Sequence, residues 1–326
     1  MINRRRFLMS LAVGVFIILS VRVAAQPTRT FKIGVLSGVG AQRALGGFQE
    51  ALSQLGYTEG RHAIYEKRSA GPNNTQFPSL AAELVGAHVD IIVAVSTPAA
   101  LAAKTATTTI PVVFFAVADP VGTGLVTSLA RPGGNVTGVS QATAEGLPGK
   151  RLELLKEAAP TVSRLAVLWV TTNPGNRVTA LMLERATQAL HMKIQSVGVR
   201  APDDFTAAFR VIREQRADSL TVFPDILTFG ELQRIVDFAA QNRLPAVYAY
   251  REFVEAGGFI SYGIDSAAAG RAAAAFVVKI LNGARASDLP VEQATKHELI
   301  INLRAAKALG LTIPQSLRLR ADQVIE

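Results

Sequence analysis

The chain has 326 residues, of which 49% are hydrophobic, and it contains no cysteine. This length suffices for one large domain or two medium ones, and the lack of cysteine excludes disulfides, thiolate metal sites and a lipid-modified cysteine. The formal net charge is +9, but the basic residues are scattered rather than clustered with aromatic residues, so nucleic-acid binding is not indicated.

The first 25 residues have the pattern of a signal peptide. A run of arginines at positions 4–6 precedes an apolar stretch over residues 7–21, and the small residues Ala24 and Ala25 follow. We therefore predict export to the periplasm, with cleavage near Ala25. The same segment approximates a twin-arginine motif, so the general and the twin-arginine routes both stay open. Cleavage would remove four of the 34 basic residues and no acidic one, leaving 30 basic against 25 acidic residues.

After residue 27, short apolar runs alternate with amphipathic helical stretches, which is typical of a parallel α/β architecture. The predicted helices of the first unit are Arg43–Leu55, Phe77–Gly86 and Pro98–Thr107. Its third and fourth strands are too uniformly apolar to be half-exposed, so we expect them to be buried on both faces. The five predicted strands are Phe31–Leu36, Ala63–Lys67, Val89–Val95, Pro111–Val117 and Asn135–Val139.

A second unit has the same rhythm as the first without obvious sequence identity to it. Linker signals near residues 131–140, 249–258 and 283–290 allow the chain to cross between the units three times. The predicted strands are Arg164–Val170, Lys193–Gly198, Ser219–Phe223, Ala246–Tyr248, Phe259–Gly263 and Glu298–Asn302. The predicted helices are Gly149–Ala159, Arg177–Leu190, Asp203–Gln215, Phe229–Asn242, Ser266–Leu281 and Leu303–Leu309.

Polar residues follow the predicted strands in both units. In open parallel sheets, ligands bind at the carboxyl edge of the strands, and a helix that begins near Pro98 would offer free N–H groups to an anion. Each residue could also be an ordinary turn or helix cap, but their recurrence in both units favours a ligand cleft between them. Tyr248, Tyr250 and Tyr262 could supply ring faces to an apolar part of the ligand. The strand-end residues are Ser37, Ser96, Thr97, Asp119, Ser140, Asn173 and Asp225.

An enzyme is not indicated by these motifs. The four histidines are too far apart for a local metal pattern, and none accompanies a recognisable nucleophile. Gly38 and Gly40 resemble the start of a dinucleotide fingerprint, but Arg43 occupies the position of the third glycine and no acid ends the second strand. We therefore predict no catalytic residue, no metal and no cofactor.

Matching stretches over nearly the whole mature chain give it a specific resemblance to the periplasmic substrate-binding proteins of ABC transporters. The chain is most similar to the branch that includes tryptophan- and tyrosine-binding members. The stretches include IGVLS at 33–37, LGYTEG at 55–60, STPAA at 96–100, DPVGTGLV at 119–126, RPGGNVTGVS at 131–140, GKRLELLKE at 149–157, LPAVYAYREFVEAGG at 244–258, SYGID at 261–265 and LPVEQATKHELIINLRAAKALGLTIP at 289–314.

The resemblance implies a type I periplasmic-binding fold, in which two Rossmann-like α/β lobes with parallel sheets are joined by a three-crossover hinge. We assign residues 31–139 and 257–285 to the N-terminal lobe, and residues 140–256 and 286–326 to the C-terminal lobe. Amino-acid binders of this fold hold the carboxylate with hydroxyls and helix amides and the ammonium with an acid. The resemblance thus implies Ser96 and Thr97 for the carboxylate, and Asp119 or Asp225 for the ammonium. The matching pocket positions are Ser37, Ser96, Thr97, Asp119, Ser140, Asn173, Asp225 and Tyr250.

The implied function is that of a periplasmic receptor. It would capture a small molecule, an amino acid or a related metabolite, and deliver it as a monomer to an ABC permease at the inner membrane. The alternative is a ligand sensor on the same fold that feeds a membrane signalling partner. An exported hydrolase is disfavoured because no nucleophile–base pair is visible, and a DNA-binding repressor because no helix-turn-helix precedes Phe31.

Overall fold

The computed structural model describes residues 29–141 and 146–326, so the predicted signal peptide at 1–25 lies outside the described residues. Within them, no helix has the length and apolar character of a membrane span. The described chain forms two separate β-sheets with helices on their faces, which confirms the predicted α/β fold of two lobes. All the strands and helices predicted from the sequence are present, with small shifts in their ends.

The first half of the chain supplies most of the first sheet. Its helices are α1 (Gln42–Gln54), α2 (Phe77–Gly86) and α3 (Thr97–Ala106), and a short 3₁₀ turn lies at Asn74–Gln76. Its strands are β1 (Phe31–Ser37), β2 (Ala63–Ser69), β3 (Ile91–Val95), β4 (Val112–Val117) and β5 (Val136–Ser140).

The second half supplies the second sheet and two elements that return to the first. Its strands are β6 (Arg164–Val170), β7 (Lys193–Val199), β8 (Ser219–Val222), β9 (Ala246–Tyr248), β10 (Ile260–Ile264), β11 (Glu292–Gln293), β12 (His297–Asn302) and β13 (Gln323–Ile325). Its helices are α4 (Leu147–Ala158), α5 (Pro174–Ala189), α6 (Asp204–Glu214), α7 (Ile226–Gly230), α8 (Leu232–Gln241), α9 (Arg251–Glu255), α10 (Ser266–Leu281), α11 (Leu303–Ala308) and α12 (Gln315–Arg320).

The strand order places one topological switch point in each sheet. The first sheet has the order β11-β5-β4-β3-β1-β2 and the second β13-β12-β10-β9-β8-β6-β7. The order therefore reverses between β1 and β3 in the first sheet and between β6 and β8 in the second. Ligands bind outside the carboxyl ends of the strands at such points.

The central strands are buried on both faces, as their apolar composition predicts. In β3, Ile91 and Val93 pack into a cluster with α1 and α10, whereas Ile92 and Ala94 pack into a second cluster with α2 and α3. The same alternation occurs in β6 of the second sheet, where neighbouring residues enter two different core clusters. Since successive side chains of a strand point to opposite faces, a strand covered by helices on both sides must be apolar throughout.

The chain passes between the sheets after β5, after β10 and after β11, which confirms the three-crossover hinge but not its predicted positions. We expected residues 257–285 to belong to the N-terminal lobe. Of this segment, β10 lies in the second sheet between β9 and β12, and α10 packs against α1 of the first lobe. We expected 286–326 to belong to the C-terminal lobe, but β11 pairs with β5 in the first sheet. Strand pairing decides both cases, because β10 pairs with β9 in the second sheet and β11 pairs with β5 in the first. The other lobe boundaries stay predictions.

Candidate functional site

The carboxyl edges of the two sheets face a common cavity. Its empty volume is about 740 Å³, part of which is open to solvent. The lining comes from both lobes: Gly38, Val39, Gly40, Ala41, Ala44, Val95, Ser96, Thr97, Ala116, Ala118, Gln141, Asn173, Gly175, Asn176, Thr179, Pro224, Asp225, Ile226, Phe229, Tyr250, Glu252 and Ser266.

Four helices that begin at this cavity have a side chain bonded to their first N–H groups, whereas α1 and the short helix α9 have none among the described residues. Asn173 Oδ1 accepts from Gly175 N at 2.9 Å, Asp225 Oδ1 accepts from Leu227 N at 2.8 Å, and Ser96 and Asp265 cap α3 and α10. Among the described residues no side chain caps α1, whose N-terminal end borders the cavity at Ala41. A free helix N-terminus attracts negative charge, because its N–H groups and the helix dipole both point towards it.

Ser96 holds a strained backbone conformation at the end of β3. Its φ of 102° lies in the left-handed region, where a residue with a side chain is strained by about 1–3 kcal/mol and which proteins tolerate mainly at functional sites. Its neighbour Thr97 is buried, and Thr97 Oγ1 accepts from Ala118 N at 3.2 Å. This bond links the ends of β3 and β4, and the hydroxyl of Thr97 donates to no acceptor among the described residues.

The end of β4 is bulged, which turns its last residues towards the cavity. The register of β4 against β5 shifts between Phe114 and Val117, and Ala116 within the shift has a φ of 56°. Gly138 of β5 lies opposite the shift, where an added Cβ would be 2.0 Å from Phe114 O, so only glycine fits. Such a bulge bends the strand locally and re-aims its side chains.

Asp225 is buried in a network of neutral donors. Its two carboxylate oxygens accept from Asn74 Nδ2 at 3.0 and 2.9 Å, from Asn173 Nδ2 at 2.7 Å and from Leu227 N. Burial raises the pKa of Asp225, and the bonds from Leu227, Asn173 and Asn74 oppose that shift. Because both oxygens already accept two hydrogen bonds, Asp225 has little capacity left for a ligand.

The two lobes touch along the rims of the cavity. Asn74 belongs to the first lobe and Asp225 to the second, so their hydrogen bonds cross the cleft. A second crossing is ionic: Arg43 of α1 lies 3.2 Å from Glu252 and 3.3 Å from Glu255 of α9.

Glycines on the rim of the first lobe make these contacts possible. An added Cβ at Gly38 would be 2.5 Å from Ile226, and one at Gly40 would be 2.5 Å from Phe229. Because Ile226 and Phe229 both belong to α7, the loop after β1 approaches α7 of the second lobe closely at these two glycines. The cavity is therefore closed between the lobes.

The charge on the cavity wall is negative. Asp225 and Glu252 are carboxylates, and no lysine or arginine is among the lining residues that the structure describes. The side-chain amide of Gln141 donates to Ala116 O at 3.2 Å and to the Tyr250 hydroxyl at 3.3 Å. Burial, with a smaller effect of Glu252, raises the pKa of Tyr250 to about 12, so it stays a neutral hydroxyl. The described residues contain no cluster of three metal-ligating side chains.

The structure brings together five of the eight predicted site residues: Ser96, Thr97, Asn173, Asp225 and Tyr250 line the cavity. The lining does not include Ser37, Asp119 or Ser140. The Asp119 carboxylate accepts from Gly122 N at 2.8 Å and so closes a local turn, while Ser140 is covered by β11 and donates to Glu292 O at 3.4 Å. Ser37 is the last, buried residue of β1, one position before the lining begins. Their roles as ligand contacts stay predictions that the cavity does not support.

Of the three tyrosines proposed as ring faces, only Tyr250 lines the cavity; Tyr248 is fully buried in the core of the second lobe. Sequence reasoning also missed lining residues that have no distinctive pattern. Gln141 and Glu252 follow β5 and β9, so the rule that strand ends form the site would have included them. The glycines of the loop after β1 were read as a failed dinucleotide motif. Other missed residues are Asn176, Thr179 and Ser266.

Comparison with known proteins gives consistent matches. A family model described as ABC transporter substrate binding protein matches residues 32–325. A tyrosine-binding protein from Clostridioides difficile is 29% identical over 282 residues, which cover 86% of this chain and 79% of that protein.

Two solved structures at comparable identity differ in how well they superpose. The structure of an ABC domain in complex with L-Trp from Streptococcus pneumonia has a TM-score of 0.84 at 27% identity and covers 91% of this chain and 100% of its own. The ligand-free, open structure of a substrate-binding protein with adhesive properties from Clostridium difficile has a TM-score of 0.66 at 29% identity, covering 91% and 99%.

Proposed function

This chain belongs to the family of ABC transporter substrate-binding proteins, and from that premise we propose that it captures an amino acid between its lobes for delivery to a membrane permease. The observation that carries the proposal is the closed cavity between the carboxyl edges of the two sheets, lined by polar groups from both lobes. The two relatives named for tyrosine and tryptophan make these amino acids the first ligands to test.

The carboxylate of the ligand would bind where helices α1 and α3 begin. The N-terminus of α1 lacks a side-chain cap among the described residues, and Ser96 and Thr97 add two hydroxyls beside it. Hydrogen bonds to a charged group contribute about 1.5–3 kcal/mol each, and a helix N-terminus adds a favourable dipole. These groups therefore suit a carboxylate without any basic side chain.

The ammonium group would bind Glu252 in preference to the two acids that the sequence suggested. Asp119 is not part of the lining, and both oxygens of Asp225 are occupied by Asn74, Asn173 and Leu227. Glu252 lines the cavity, and its contact with Arg43 leaves one carboxylate oxygen without a partner among the described residues. We therefore assign the ammonium to Glu252.

Delivery to a permease requires that the population of the closed form depend on bound ligand. A ligand shifts an equilibrium between open and closed forms only by as much as it binds one form better. The contacts between the rims are few, and the ion pair of Arg43 is partly exposed, so these contacts are weak. Contacts of the ligand with both lobes would supply the remaining preference for closure.

The proposal extends to location and assembly. We propose that the signal peptide is removed near Ala25 and that the mature chain acts in the periplasm as a monomer. A sensor that signals to a membrane partner would use the same closed form, so the two functions differ only in the protein that recognises it. A cell that lacks this chain would lose uptake of the ligand if it serves a permease, and would keep uptake if it serves a sensor.

Isothermal titration calorimetry of residues 26–326 with the common amino acids tests the proposed function. We expect one amino acid to bind with one site per chain, and native mass spectrometry to recover it chemically unchanged. Tryptophan and tyrosine are the first probes. The proposal is wrong if none of the amino acids binds, or if the recovered compound has been altered.

A further inference from the structure

Arg151 is a buried cation without a carboxylate partner among the residues that the structure describes. Arg151 lies in α4 and is only 5% exposed. No carboxylate of the described residues lies within 4.0 Å of its guanidinium. Its Nε donates a hydrogen bond to the backbone oxygen of Tyr262 at 2.7 Å. The two terminal nitrogens have no protein partner among the described residues, so most of the donors of this guanidinium are free.

Burial of an unpaired guanidinium is costly, because a charge loses its hydration when it leaves water. Burial lowers the pKa of Arg151 to about 10, an effect that nearby Tyr250 and Tyr262 only partly oppose. Arg251 shows the ordinary solution, since its guanidinium lies 2.8 Å from Glu255 and 2.8 Å from Glu298. Among the described residues, no carboxylate balances the charge of Arg151 in this way.

A side pocket connects Arg151 to the main cavity. This pocket has about 350 Å³ of empty space and is lined by Arg151 together with residues of α4. Four further lining residues, Ala118, Gln141, Thr179 and Pro224, also line the main cavity. The two spaces therefore adjoin each other along these four residues, which places the guanidinium next to the cleft.

We propose that Arg151 binds a second anionic group of the ligand, so that the substrate class is an amino acid with an acidic side chain. The proposal rests on the proposed function, which places the α-carboxylate at Ser96, Thr97 and the start of α1. None of these groups lines the side pocket, so Arg151 faces a different part of the same ligand. The fork of donors on a guanidinium matches the two oxygens of a carboxylate.

Calorimetry with matched ligand pairs tests this assignment. The probes are L-glutamate, L-2-aminoadipate and 4-carboxy-L-phenylalanine, each compared with its uncharged counterpart: L-glutamine, L-norleucine and L-phenylalanine. We expect at least one acid to bind about thirtyfold or more tightly than its counterpart, because removal of one partner of a buried charge pair has an effect of this size. Arg151→Met should abolish that preference and leave the neutral counterpart's affinity unchanged, whereas Arg151→Lys should keep part of it.

Three results would overturn the proposal. The acids and their counterparts could bind with equal affinity, Arg151→Met could lower the affinity for both by the same factor, or no acid could bind. Binding of a neutral amino acid such as tryptophan with no preference for acids would contradict the role of Arg151 and leave the proposed function intact. Failure of all amino acids to bind would instead contradict the proposed function.

Thermal unfolding without ligand separates ligand recognition from a structural role. Arg151→Met should leave the melting temperature unchanged or raise it, because it removes an unpaired buried charge, while the matched variant Arg251→Met should lower it by breaking two ion pairs. A decrease in Arg151→Met like that in Arg251→Met would contradict the proposal. Glu145 lies outside the described residues. A loss of stability in Glu145→Gln, or an acid preference that arises only in this variant, would assign the partner of Arg151 to the chain itself and overturn the proposal.

Discussion

The two lobes use the ends of their strands differently. In the second lobe, both predicted strand-end residues, Asn173 and Asp225, line the cavity, as does Tyr250, which the family resemblance implied. In the first lobe only Ser96 and Thr97 do so. The same rule, that ligands bind beyond the carboxyl ends of parallel strands, thus succeeds completely in one lobe and partly in the other.

Position relative to the switch point accounts for Asp119 and Ser140, but not for Ser37, which ends β1 at the switch point itself. Asn173 and Asp225 follow β6 and β8, which flank the switch point of the second sheet, and Ser96 follows β3, which flanks that of the first. Asp119 and Ser140 follow β4 and β5, one and two strands further out. There the chain uses its polar groups locally, in a turn closed by Gly122 and in the contact with β11.

The largest effect should come from the hydroxyls at the end of β3. We expect Ser96→Ala with Thr97→Val to weaken binding of an amino acid by about 1.5–3 kcal/mol for each lost bond to its carboxylate, measured by calorimetry. The loss should be smaller for the corresponding amino acid amide. The matched control is Ser37→Ala with Ser140→Ala, which changes two strand-end serines outside the lining and should leave affinity unchanged. Equal losses of affinity in both double variants would contradict the claim that the end of β3 contacts the ligand and the ends of β1 and β5 do not.

Closure at the rim should have the next largest effect. A side chain in Gly40→Val would meet the ring of Phe229 in α7, and overpacking of this kind costs about 1–3 kcal/mol, which corresponds to about 5- to 150-fold in affinity.

Gly56→Val is the control for Gly40→Val, because φ is also positive at Gly56 but no atom lies within 4 Å of its added Cβ. Both variants should melt at a lower temperature, and only Gly40→Val should bind ligand more weakly. Normal affinity in Gly40→Val would mean that the rims need not meet.

Variants of the two acids Glu252 and Asp119 should have opposite effects, one on ligand affinity and the other on stability. Glu252→Gln should weaken binding of the amino acid by about tenfold, an effect of the order of one charge-assisted hydrogen bond, with little change in melting temperature. Asp119→Ala should lower the stability by about 1 kcal/mol, because it removes the acceptor of Gly122 N, and should leave affinity unchanged. The reverse pattern in calorimetry and thermal unfolding would return the ammonium to Asp119.

The smallest effect should come from the ion pairs across the cleft. Arg43→Gln removes partly exposed contacts with Glu252 and Glu255, and pairs of this kind contribute about 0–1 kcal/mol. We expect a loss of affinity below about fivefold, measured in low salt, that disappears as ionic strength rises. A large loss that persists in high salt would show that this contact does more than hold the rims.

Much of the fold was predictable because it depends on local patterns. The apolar runs of β3 and β4 predicted burial on both faces, and alternation of strands and helices predicted two α/β lobes. The crossings were misplaced, since the membership of β10 and β11 depends on pairing with distant strands, for which short segments have no local signal. The predicted helix Phe229–Asn242 covers α8 but only the last two residues of α7, because the break near Gly230 interrupts the helical pattern only briefly.

The site was predictable only as a set of strand ends. Residue type identifies Ser96, Asn173 and Asp225 as caps of helices that begin at the cavity. It does not show whether the oxygens of such a cap are already occupied by partners within the chain. Asp225 illustrates the limit, because its partner Asn74 lies 151 positions away in the other lobe. Arg151 was invisible for the same reason: its burial and its lack of a described carboxylate partner arise from packing between distant segments.

Small-angle X-ray scattering of residues 26–326, with and without the amino acid identified by calorimetry, tests the central claim most directly. If the ligand is held between the lobes and stabilises the closed form, its addition must decrease the radius of gyration, and the same addition to Gly40→Val must decrease it less. A ligand that binds the unaltered chain without changing its radius of gyration would contradict capture by closure of the lobes.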